Sequence, residues 1–341
     1  PSVISFTLSD TKLLVGDNAT VSLVFSEAVA SFSSDDDITV PNLDNGTTSG
    51  TLAAMTSSDN KTWEGTFTPT FPNTEDWSNT LSLANSYTDT VGNTGTAAES
   101  ENYMVDDNDS SVISFTLSDT ALKAGDNATV TLVFSEAVAS FSSDADITAA
   151  GTAGAADNGS LATMTSSDNK TWEGTFTPTA NTEDATNTLS LANSWTDTVG
   201  NPGDAATTSN FEVDTLAPTV SSFTLSDTAL KAGDNATVSL VFSEAVASFS
   251  SDADITVPNL DNGTTSGTLA TMTSSDNITW TGTFTPTANT EDDNNTLSLA
   301  TSYTDLAGNA GPAATTSNYE VETLAPSANF TAATDDVGTV T

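Results

Sequence analysis

FTLSDTALKAGDNATVTLVFSEAVASFSSDADIT, residues 115–148, decides the fold of this chain because it is written three times. Near-copies begin at Phe6 and Phe223, so the spacings are 109 and 108 residues. The match continues through TMTSSDNxTWxGTFTPT, NTED, TDxxGN and a closing Val-Asp or Val-Glu. A unit of about 100 residues is an ordinary independent domain, larger than one turn of a solenoid. The expected domains are 1–107, 108–215 and 216–325, with 326–341 (including SANFTAATDDVGTVT) opening a fourth unit of different sequence.

Inside each copy the apolar residues alternate. Ala19, Val21, Leu23 and Phe25 are separated by Thr20, Ser22 and Val24, the period of a strand with one buried face. The same pattern marks Trp63 to Phe67 and Leu81 to Leu83. Further strands are expected at Val3 to Leu8, Ile38 to Val40, Leu52 to Thr56 and Asn102 to Val105. Gly16-Asp17, Asn45-Gly46, Asp59-Asn60 and Gly92-Asn93 supply turns between them. No window has helical periodicity. About seven short strands per repeat imply an all-β fold, tandem immunoglobulin-like β-sandwiches arranged as an elongated rod. Trp63, Trp172 and Trp280 are expected as core indoles between the sheets, and Tyr87, Trp195 and Tyr303 as core or rim.

The charge balance is one-sided: 46 acidic residues against five lysines, without Arg or His, for a net charge of −41. That field repels nucleic acid and anionic membranes, and no guanidinium is present to clamp a phosphate. No stretch is long and apolar enough for a transmembrane helix. Without His or Cys there is no imidazole base, thiol nucleophile or disulfide. Paired carboxylates can cleave glycosides, but these lie in loops copied three times with no aromatic-lined groove, so the chain is read as non-catalytic. Pro1 opens directly into a strand pattern with no signal peptide, which reads as an internal stretch of a longer protein.

The acids gather where a sandwich topology brings loops together. With strands named A to G, the B–C, D–E and F–G connections share one end of each domain. In repeat 2 they carry Glu136, Asp144 and Asp146, then Asp168 and Asn169, then Asp197 and Asn201. The linker entering that end is VDDNDS, with Asp106, Asp107 and Asp109, while repeat 1 offers Asp10, Asp17, Glu75 and Asp76 from its opposite end. The second junction sets Asp214 against Glu244, Asp252, Asp254, Asp305 and Asn309. Repeat 1 carries the same loop set in Glu27, Asp35, Asp37, Asp89 and Asn93, and Glu322 ends the third repeat. So many carboxylates without counter-charge are costly unless a cation neutralises them. Hard oxygen donors of this number select Ca²⁺ over nitrogen- and sulfur-seeking metals. The plainer reading is that Asp and Asn shape turns and keep the surface soluble.

The run from Phe115 to Val138, with TSSDNKTWEGTFTPT, TDTVGN and EVDTLAP, resembles the Ig-like repeats of giant bacterial surface adhesins, including RTX adhesins exported by type I secretion and biofilm and ice-binding adhesins. The resemblance covers residues 1 to about 325, and SANFTAATDDVGTVT looks like the start of a second repeat type of those proteins. It implies an extracellular, cell-surface location and a stalk holding a ligand-binding tip that lies outside this segment. Ca²⁺ would be held by linker and loop acids, with Asp106, Asp214 and Glu322 in the matching linker places. The first linker departs from the pattern, lacking the proline of VDTLAP and gaining two acids. The expected partners are the neighbouring Ig-like domains of the same chain, in a monomer about 120 Å long at roughly 40 Å per domain. The rival is a multivalent module whose repeats themselves contact carbohydrate, protein or ice, with affinity gained by avidity.

Overall fold

The computed structural model describes residues 1–71, 75–150, 158–260 and 263–327. Repeat 1 is built from β1 (Val3–Leu8), β2 (Lys12–Leu13), β3 (Ala19–Phe25), α1 (Ser34–Asp37), β4 (Ile38–Thr39), β5 (Gly50–Leu52), β6 (Thr62–Pro69), β7 (Glu75–Asn79), β8 (Ser82–Leu83), β9 (Ala98–Glu99) and β10 (Tyr103–Asp106). One sheet runs β1-β3-β6-β5; opposite it lie β2-β10-β7 and β4-β8-β9. In repeat 2 the counterparts of β7 and β8 fuse into one strand, Glu183–Leu191, and the second layer becomes continuous. Repeats 2 and 3 otherwise follow repeat 1. The expected all-β, tandem immunoglobulin-like architecture is what the chain adopts.

The alternation in β3 does what its period requires. Ala19, Val21, Leu23 and Phe25 are buried, and β3 pairs antiparallel with both β1 and β6. Three separate cores result, one per repeat, so each domain closes on itself. The aromatic arrangement reverses part of the sequence reading. Trp63, Trp172 and Trp280 lie only partly buried at the edge of each core, edge-on to Phe32, Phe141 and Phe249 at 4.9 Å. The centre belongs instead to Tyr87, Trp195 and Tyr303, all fully buried. Each uses its polar tip in the same way, donating to a backbone carbonyl nine residues on: Thr96, Asp204 and Pro312. Their rings lie where a side chain at Gly95, Gly203 or Gly311 would stand, only 2.1 Å from a Cβ built there.

A second difference is a single helical turn in each SSDxD stretch: α1, Ser143–Asp146 and Ser251–Asp254. Four residues are too few to show a period of 3.6. The last Asp of the turn closes it. Asp37, Asp146 and Asp254 are buried, accepting the backbone N–H of Ser33, Ser142 and Ser250 and the hydroxyls of Ser86, Ser194 and Ser302.

A sheet switch near the start of each repeat carries its first turn to the end where the repeat's last strand leaves. After β1 the chain crosses to the other sheet, and β2 pairs parallel with β10, setting Lys12 beside Met104 and Leu13 beside Val105. In repeat 2, Lys123 is likewise set beside Asp214. The turn after this short strand therefore sits beside the exit of the last strand, where one repeat meets the next. The expected fourth unit falls mostly on 328–341, outside the described residues.

Candidate metal centres at the repeat junctions

Among the described residues, two groups of three carboxylates stand at equivalent places. Asp106, Glu136 and Asp197 each offer an oxygen within 4.8 Å of the others, and Asp214, Glu244 and Asp305 do the same. Each joins the acid ending the last strand of one repeat to two loop acids of the next. The first acid is placed by strand pairing: Asp106 is opposite Glu75, and Asp214 is opposite Glu183. The Glu lies just after the long central strand, in the SEAV segment.

The third acid is fixed by its own loop. Asp197 Oδ1 accepts the backbone N–H groups of Val199, Gly200 and Asn201 at 2.8, 2.6 and 3.0 Å, and Oδ2 accepts Asn201 Nδ2 at 2.8 Å. Asp305 accepts from Gly308 and Asn309 in the same fashion. Turn-forming and ion-binding readings of TDxxGN are thus compatible, since a carboxylate has about four acceptor positions and Oδ2 keeps capacity.

The electrostatics of the second group are those of crowded like charges. Burial pushes the Asp214 carboxyl above its ordinary range, and Asp305, Glu183 and Glu212 add to the rise. Glu244 is raised by burial first, then by Asp305, Asp214 and Glu183. Asp214, Glu244, Glu183 and Glu212 border a cavity of about 380 Å³ that Ala121, Leu122, Leu306 and Ala307 also line. Such a set suits a hard divalent cation, which would remove the repulsion that raises these groups.

The other expected ligands are placed as follows. Asp107 and Asp109 share with Glu136 an open groove on the rim of the first group without joining its three converging oxygens. Asp146 and Asp254 are taken up in closing their helical turns. Asp144 and Asp252 are exposed and accept the hydroxyls of Thr163 and Thr271. None of these four is in either group. Asn201 and Asn309 turn amide nitrogen toward the carboxylates, and the oxygen of Asn309 accepts the N–H of Ala124, so these amides position the Asp rather than offer it a fellow ligand. In repeat 1, Asp89 and Asn93 make the same bond, which with backbone N–H groups holds Asp89 below its ordinary range. Glu27 is exposed just after β3, and Asp35 and Asp37 sit on α1. Glu322 is exposed, opposite Glu291.

Asp168 and its counterparts are turn formers. Asp59 accepts from Thr62, Lys61 and Ser57, which lowers it to about 2. Of the repeat 1 acids, Asp10 and Asp17 accept local backbone N–H groups, and Asp76 is buried and accepts the N–H of Asp44. Sequence reading missed Glu212, whose only signal was its place two residues before Asp214 on the same strand.

No curated protein matches the chain. Among solved structures it is similar to the Escherichia coli adhesin FdeC at 15% identity, covering 93% of this chain and 96% of that one, with a TM-score of 0.42. It is also similar to the I67–I69 fragment of titin at 8% identity, covering 94% and 97%, TM-score 0.41. Invasin, a bacterial integrin-binding protein, is similar at 14% identity, covering 87% and 55%, TM-score 0.31. Likeness of this degree carries nothing about function. Among the described residues no helix is long and apolar enough to cross a membrane. The sequence itself matches one family profile three times, over residues 1–105, 107–213 and 214–321. The chain belongs to the bacterial Ig-like domain family, as three copies in tandem.

Proposed function

We propose that this segment is a non-catalytic extender of a bacterial cell-surface adhesin, in which Ca²⁺ at the junctions stiffens the line of domains. The observation that carries the reading is the repetition of one carboxylate group at both junctions, each assembled from two successive repeats. A cation held there is shared by two domains, so its binding energy favours their docked arrangement. The residues assigned to it are Asp106, Glu136 and Asp197 at the first junction and Asp214, Glu244 and Asp305 at the second. Calcium is favoured over magnesium because a carboxylate set spread across two domains suits flexible coordination better than a strict octahedron. The location on the cell surface and the RTX-type export belong to this proposal, resting on family membership and the adhesin-like motifs.

The test is thermal. Extracellular calcium modules have Kd values of about 10⁻⁴–10⁻³ M, so about 10 mM Ca²⁺ stabilises by roughly 1.4–2.7 kcal/mol per site. Scanning calorimetry in chelator and in Ca²⁺ is expected to show an upward shift of several degrees. NaCl at equal ionic strength should produce much less. Equal effects of the two salts would mean that screening of the acidic surface suffices and the calcium reading fails.

A further inference from the structure

The same junctions hold a second set of contacts that involves no carboxylate pair. At the first, Lys12 Nζ of repeat 1 donates to the carbonyl of Thr198 in repeat 2 at 2.9 Å. Leu14 Cδ1 stands 3.3 Å from where a Cβ on Gly200 would lie. At the second, the backbone N–H of Ala124 donates to Asn309 Oδ1 at 2.8 Å, and Lys123 Nζ lies 3.3 Å from the Cβ position of Gly308. In both, residues of the short sheet-switching strand and of the turn after it grip the crown of the next repeat's TDxxGN loop.

We propose that this turn is a docking socket and the TDxxGN loop its plug, a direct latch between consecutive repeats that works without metal. The plug needs its glycine. Gly200 and Gly308 have φ of +123° and +99°, a conformation that turns bare backbone toward the socket. Burial follows the latch at the first junction, where Val199 is 9% exposed, whereas Val91 at the same place in repeat 1 is 81% exposed and nothing lies within 4 Å of a Cβ on Gly92; at the second the equivalent Ala307 stays exposed. The two sockets differ in chemistry: the first presents Leu14, the second Lys123 and the backbone of Ala124. The first is therefore an apolar latch with one lysine at its edge, and the second a polar latch closed by a backbone-to-amide bond. Latch and metal group share a scaffold, because Asp197 and Asp305 shape the loops that the sockets hold.

The latch is independent of the calcium proposal, and one experiment separates them. The chain has no cysteine, so spin labels at Thr66→Cys and Thr175→Cys, both exposed, report the distance between repeats 1 and 2 alone. In chelator the unmodified junction is expected to give one narrow distance distribution. Leu14→Glu should at least double its width, and Lys12→Ala should broaden it less. Both variants keep Leu13 and the buried face of the domain, and an unchanged calorimetric unfolding enthalpy verifies folding. If the distribution in chelator is already as broad as that of Leu14→Glu, or if Leu14→Glu leaves a narrow one unchanged, there is no latch. If added CaCl₂ changes no distribution, the calcium proposal fails while the latch stands.

Discussion

The two junctions are copies of one design that differ in where their lysines stand and in their linkers. At the first, Lys170 Nζ donates to the carbonyl of Ser135 at 2.6 Å, which tethers an ammonium to the SEAV segment one residue from Glu136. At the second the equivalent residue is Ile278, and Glu212 adds a negative charge where the first junction has Met104. The linkers differ too. The first is Asp106 to Ser111, rich in acids; the second, Asp214 to Thr219, is stiffened by Pro218. Ser110 occupies the proline's place, fully buried, with a hydroxyl that makes no hydrogen bond. Charge neutralisation and linker rigidity are therefore separable. The first junction sets Lys170 on the SEAV segment above a softer linker, and the second has a rigid linker, no lysine at that position and Lys123 beside Asp214 instead.

Exchanging the lysine breaks the comparison most directly. Ile278→Lys should weaken Ca²⁺ at the second junction about tenfold, since an ammonium tethered to the SEAV segment should oppose a divalent cation there by on the order of 1 kcal/mol or more. Lys170→Ile should tighten the first by a similar factor. Calorimetric titration of each variant reads both. Unchanged affinities would mean that Lys170 does not feel the cluster.

Acidity is the next lever. Asp214 and Glu244 have ordinary values of 3.8 and 4.5 and are raised in the folded chain by burial, then by neighbouring charge. The native state therefore holds protons that the unfolded state has released. Their contribution to stability is present below the ordinary values and is lost as pH rises through the raised ones. In metal-free protein the third repeat should lose stability as pH climbs from about 4 toward neutrality, and Ca²⁺ should restore it. Glu244→Gln should flatten that decline. A profile identical to that of the unmodified chain would show that general repulsion, and not this cluster, sets it.

How much of this was legible in the sequence depends on range. Alternation at Ala19 to Phe25 specified the strand and its buried face because the signal is local and the period is two. Asp106, Asp214 and the TDxxGN aspartates were readable because strand succession fixes which loops share an end. The helical turn at Ser143–Asp146 was not, since one turn has no period. Its Asp146 is spent on Ser142 and Ser194, a hydroxyl 48 residues away. The exchange of roles between Trp172 and Trp195 was equally hidden: both lie among polar residues, and only the close approach of Gly203 shows which ring takes the centre. The latch left no motif, since Leu14 and Lys123 look unrelated until both turns are set against the same loop.

The smallest expected effect sharpens the linker half of the comparison. Ser110→Pro removes an unpaired buried hydroxyl and restricts the unfolded chain at a position where the sister linker already carries proline. It should stabilise by about 0.5–1 kcal/mol. Loss of stability would show that the two linkers follow different backbone paths.

The central claim is that each carboxylate group holds one calcium between two repeats. Isothermal titration of the full chain against CaCl₂, beside a Glu136→Gln and Glu244→Gln double variant, tests it most directly, because neither glutamate shapes the TDxxGN loop. The expected result is two fewer calcium ions bound by the variant, or two sites weakened beyond detection, with all three domains still folded. The same stoichiometry and affinity in both proteins would contradict it.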